Sequence, residues 1–141
     1  MESGSASVVR GRRFFCSDRR ASLRGCGRTF SVLLQQHVAA FTVTTLTLLA
    51  FVLRVVGGAT RKAAWEAVAP PGFHVRSGYR LWQRLAWSQP HWRTQLLRLA
   101  PPPPCPSSVP LAGGVAHLRL VFSDDDAFGA FQHALGTPLL P

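Results

Sequence analysis

Twenty-five consecutive residues, 29–53, carry no charge, and strongly basic segments flank them on both sides. A stretch of this kind either crosses a membrane or is folded into a core. A spanning helix needs about 20 predominantly apolar residues to cross about 30 Å of hydrocarbon. The strongly apolar part here is residues 38–53, which at the helical rise covers only about 24 Å. Gln35, Gln36 and His37 stand at one edge, and Thr42, Thr44, Thr45 and Thr47 interrupt it. Phe41 to Thr44 alternate like a short extended piece, and Thr45 is placed to cap a following helix. Basic residues on both sides leave a membrane orientation unspecified. These features favour a core segment. A single-pass membrane protein spanning about residues 31–53 stands as the rival class.

The chain has 141 residues, enough for one domain of ordinary size. It carries 16 Lys+Arg against 6 Asp+Glu, a formal net charge of +10, and Lys62 is its only lysine. Hydrophobic residues make up 47%, which excludes a fully disordered polycation. Residues 1–30 hold seven arginines against Glu2 and Asp18. Residues 54–99 hold seven arginines and Lys62 against Glu66 alone, whereas beyond residue 100 Arg119 is outweighed by Asp124, Asp125 and Asp126. Such arginine density attracts polyanions, nucleic acid first and anionic lipid second. The plain alternative is a solvated basic surface. Three cysteines exclude a disulfide-dense secreted scaffold. The first thirty residues lack an apolar core for a signal peptide, so the expected location is cytoplasmic, with the membrane as its alternative.

The pattern predicts an α-rich (α+β) chain in four parts. Residues 1–34 form a basic, partial β-ribbon, with strands over 12–15 and 29–34. Residues 45–99 form a helical domain of helix-turn-helix character. A Pro/Gly-rich linker follows over 100–114, with Pro101 to Pro104 and Pro106 stiff and extended. Residues 115–141 form a strand-helix tail, with alternation over 117–122 and a helix over 124–135 that starts among acids.

Within the helical domain the first helix is 45–56, ended by Gly57 and Gly58. Thr60 caps a second over 61–68, and Ala69-Pro70-Pro71-Gly72 ends it. Ser77 caps a third over 78–87, and a fourth over 89–99 has Pro90 in its first turn. The connector between the second and third helices is longer than the usual three to four residues of a helix-turn-helix. Arg80 and Arg84 are four apart with Gln83 between them, so they share a face, while Leu81, Leu85 and Trp82 occupy another. Arg and Gln side chains match guanine and adenine edges in the major groove. Arg61, Lys62, Arg76 and Arg93 are placed to neutralise phosphates. An ordinary amphipathic hairpin with a wet basic face is the competing interpretation.

Cys16 and Cys26 lie in a basic, turn-rich segment, and a closed zinc site needs four ligands. Cys105 in the proline run and His37 do not complete one, and His74, His91, His117 and His133 show no ligand spacing. Two free thiols are the plain reading.

The run Arg-Arg-Phe-Phe-Cys (12–16) with Gly-Cys-Gly-Arg-Thr-Phe-Ser (25–31) resembles the distal half of small zinc-ribbon proteins associated with insertion-sequence transposases. Arg-Lys-Ala-Ala-Trp-Glu (61–66) followed by Ser-Gly-Tyr-Arg-Leu-Trp (77–82) resembles their helix-turn-helix. The resemblance covers residues 8–99 and implies a DNA-binding accessory protein or remnant. In that family a CxxC knuckle lies upstream of the first basic strand. Here Cys16 and Cys26 are an incomplete pair, so zinc enters only if further ligands are supplied. No spaced acidic triad for strand transfer is present, so no catalysis is expected. The implied partners are double-stranded DNA and, by the resemblance, a transposase or a second copy of the chain.

Overall fold

A computed structural model describes residues 11–15, 29–33, 38, 43–122 and 125–140. The chain divides after Leu34 into two units, Met1–Leu34 and Gln35–Pro141. In the first, strand β1 (Gly11–Phe15) pairs antiparallel with β2 (Thr29–Leu33), with Phe14 opposite Phe30. Cys16 and Cys26 lie outside the described residues.

Among its described residues, the second unit holds five helices. Helix α1 (Thr45–Val56) is capped by Thr44, whose hydroxyl accepts the Thr47 N–H at 3.2 Å. The cap is therefore one residue earlier than expected, because Thr45 is buried and donates its hydroxyl to the Asp126 carboxylate. Leu48, Leu49, Phe51 and Val52 are buried along the helix. Most of the expected span before α1 lies outside the described residues, and residues 45–53 are spent on this packed helix. Among the described residues, no helix is long and apolar enough to cross a membrane.

Helix α2 (Arg61–Val68) starts at Thr60, whose hydroxyl accepts the Ala63 N–H. It ends where Pro70 and Pro71 withdraw two backbone donors. Helix α3 (Val75–Leu97) departs from expectation in two ways. Its cap is His74, whose ring Nδ1 accepts the Arg76 N–H at 3.2 Å, rather than Ser77. It also runs unbroken through Pro90, so the two helices expected over 78–87 and 89–99 are one. The reason is burial. Leu81, Leu85, Ser88, Trp92 and Leu96 recur at three- and four-residue spacing and are all buried. Keeping them on one face outweighs the roughly 3 kcal/mol that an internal proline costs. Ser88 and Thr94 return hydroxyl bonds to the carbonyls of Leu85 and Pro90.

Residues 117–122, expected as a strand, belong to helix α4 (Ala112–Phe122). Alternation over six residues misleads here. The buried positions Ala112, Val115 and Leu118 repeat every third residue, a helical period. Helix α5 (Ala127–Leu135) is capped by Asp126, which accepts the Gly129 N–H at 3.0 Å. The chain then returns Leu139 and Leu140 to the core.

Helix packing runs α1 on α2, α2 on α3, α3 on α4, α4 on α5 and α5 back on α1. The segment expected as a tail beyond a linker is thus within the same unit as the helical domain. The proline run is fastened from both sides. Gln89 on α3 donates to the Pro110 carbonyl at 3.0 Å, and the Ala100 carbonyl accepts from buried His117 Nε2 at 2.8 Å.

Candidate nucleic-acid interface

Trp65 joins α2 to α3. Its indole stacks edge-on against Phe51 of α1, with centroids 5.3 Å apart, and its Nε1–H donates to the His74 carbonyl at 3.1 Å. That bond holds the backbone at the start of α3. Gly78 faces the same indole so closely that an added Cβ would lie 2.6 Å from a ring carbon. The Trp65 indole therefore packs directly on the α3 backbone, with no side chain from residue 78 in the way, and the rotation of α3 about its axis is set by this contact together with buried Leu81, Trp82 and Leu85.

That rotation decides which residues reach solvent. Arg76, Arg80, Gln83 and Arg84 are all exposed. At about 100° per residue, the four fall within an arc of about 100° opposite the buried face. The expected face of Arg80, Gln83 and Arg84 is therefore present on one helix, and Arg76, expected ahead of that helix, joins it because α3 starts at Val75, so the four span about 12 Å of its length. Two further residues, missed from the sequence, continue it: Trp87, 78% exposed, and His91. The signal was the i, i+4, i+7, i+11 series from Arg80. The expected end of the helix at Trp87 cut His91 off from that series, and Trp87 was passed over because it carries no charge.

The remaining expected contacts lie elsewhere. Arg61 sits at the start of α2 with its guanidinium 5.5 Å from the Tyr79 ring centroid and 5.9 Å from that of Trp82. It is held on the flank of α3 by its attraction to the two ring faces. Lys62 is four residues from Glu66, with a 4.0 Å ion pair exposed on both sides, a contact worth at most about 1 kcal/mol. Arg93 is exposed but turned about 140° from Arg80 around α3, so it does not join the stripe.

Charge is unbalanced across this region. Between Glu66 and Asp124 lie six arginines and no acidic residue. Among the described residues, no group of three His, Cys, Asp or Glu side chains is gathered to hold a metal ion. Cys105 carries a free thiol, half-buried beside Gly113. Compared with protein-family models, curated proteins and solved structures, the chain matches none, so the meaning of its surface rests on this geometry.

Proposed function

We propose that this chain is a non-catalytic DNA-binding protein whose α3 presents Arg76, Arg80, Gln83 and Arg84 to the duplex. The observation that carries the reading is the exposed stripe of guanidinium groups in a stretch of chain without a carboxylate. Arg76, Arg80 and Arg84 follow one another at four-residue intervals, and like charges at that spacing destabilise a helix by about 0.2–0.5 kcal/mol per pair. A face that was merely solvated would gain from an interspersed Glu. A face that meets phosphates would lose by it. An α-helix fits the major groove, where Arg80, Gln83 and Arg84 can meet base edges or phosphates, and Arg76 lies at the helix start, where backbone phosphates pass. Arg61, Lys62 and Arg93 contribute to the general basic field rather than to this face. By the sequence resemblance, a transposase or a second copy of the chain is the proposed protein partner, and zinc at Cys16 and Cys26 remains conditional on further ligands.

The test is a salt titration of duplex binding. Each phosphate contact contributes about 0.9 to the slope of log K against log salt. The triple variant Arg76→Ala, Arg80→Ala, Arg84→Ala is expected to flatten that slope by two to three such contributions. An unaltered slope and affinity would remove α3 from the interface.

A further inference from the structure

Three of the four tryptophans, Trp65, Trp82 and Trp92, are buried, whereas Trp87 is 78% exposed on the stripe that carries Arg80 and Gln83. Around α3 it lies about 20° from Arg80 and about 40° from His91, which follows one turn later. An indole at this position adds nothing to the core, because the apolar face of α3 is buried on the opposite side and solvent covers Trp87. Leaving an indole in water forgoes one of the largest apolar burials available to a side chain. Cations and a planar aromatic ring together on one face are the elements by which single strands are held. The cations follow the phosphates and the ring stacks on a base. In an intact duplex every base is already stacked on its neighbours, so a ring of this kind gains a partner only where bases are unpaired.

Resting on the DNA-binding reading above, we propose that the Arg80–Trp87–His91 stripe of α3 binds DNA with unpaired bases, Trp87 stacking on an exposed base while Arg80 holds an adjacent phosphate. The ligand class is then single-stranded DNA, or a duplex with a frayed or single-stranded end, in preference to a closed duplex. Gln83 lies on the same side of the stripe as Trp87 and offers an amide to the edge of the stacked base.

The test uses the full chain and fluorescently labelled oligonucleotides: (dT)20, a closed hairpin duplex of mixed sequence, and (U)20 RNA. The wild-type chain is expected to bind (dT)20 more tightly than the hairpin, and tighter binding to the hairpin would overturn the preference for unpaired bases. Trp87→Ala should weaken (dT)20 binding about tenfold or more and the hairpin by less than about twofold, with Trp87→Phe keeping most of the affinity because a phenyl ring still stacks. Titration with (dT)20 should quench indole fluorescence in the wild type and much less in Trp87→Phe. Since Trp87 is mostly in solvent, the melting temperature should not move in either variant. If Trp87→Ala leaves (dT)20 binding unchanged, or weakens both DNA forms equally, the stacking role is wrong while duplex binding stands. A preference for (U)20 over (dT)20 of more than about tenfold would overturn the assignment to DNA. Binding to neither DNA form would overturn this proposal together with the reading it rests on.

Discussion

Gly78 shows how much one missing side chain decides. By helix propensity alone, Gly78→Ala in the first turn of α3 should stabilise the chain by about 1 kcal/mol. The structure reverses that sign. An added Cβ would lie 2.6, 2.8 and 2.9 Å from three atoms of Trp65, and the indole cannot yield, because it is 1% exposed and tied to the His74 carbonyl. Overpacking of this kind costs about 1–3 kcal/mol. Gly78→Ala is therefore expected to lower the midpoint of chemical denaturation, and a rise would show that α2 and α3 are not in this contact. Gly114 plays the same part between α3 and α4, since its Cβ would strike the ring of Trp92 at 2.3 Å. Neither role was legible beforehand. A glycine inside a helical pattern marks either a weak point or a close approach, and only the neighbour distinguishes them. The bond from Trp65 across to the start of α3 was likewise out of reach of the sequence.

At the scale of the element, α3 is the informative case. Its two halves are each visible in the sequence as helix, with apolar and basic residues at the right spacing, and Arg80, Gln83 and Arg84 are exposed together on the first half. The join was not visible, because a proline after Ser88-Gln89 is as good a start as it is an interior residue. The continuous apolar face, Leu85 to Leu96, is what carries the helix through. Pro90→Ala is expected to raise the melting temperature, since it restores a backbone donor and removes a clash with the preceding turn, worth up to about 3 kcal/mol. A fall in stability would mean that the chain uses a bend there. The charge stripe makes a second prediction for the same helix. Arg80→Ala relieves repulsion from Arg76 and Arg84 and adds a strong helix former, so stability should rise by a few tenths of a kcal/mol. Duplex binding should weaken at the same time. Calorimetry and a binding titration on the same variant would separate this trade-off from a purely solvated face, for which binding would not move.

For the helical unit as a whole, the difference from expectation lies in the last forty residues. A tail on a proline linker would be dispensable. Instead Ala127, Phe128, Phe131, Leu139 and Leu140 are in the core, and Thr45 is bonded to Asp126, 81 positions away in sequence. Fully burying one such large apolar side chain contributes about 1.5–3 kcal/mol, so removing four of them approaches the whole margin of a small domain. Truncation after Phe122 is expected to abolish cooperative thermal unfolding, and a truncated chain that still melts cooperatively would show that α1 to α4 fold without α5 and the segment that follows it. Asp126→Ala should be milder, costing about 1–2 kcal/mol through the lost cap, together with the tie to α1.

Local chemistry was enough to locate α1, α2 and the start of the basic face, because caps, breakers and i, i+4 spacing act over a single turn and are written in adjacent residues. The identity of residues 112–122 as a helix, the passage of α3 through Pro90, and the exposure of Trp87 were decided by contacts between segments far apart in sequence. Burial is a property of neighbours. A run of five or six apolar residues satisfies either period until a partner such as Trp92 or Phe128 selects one.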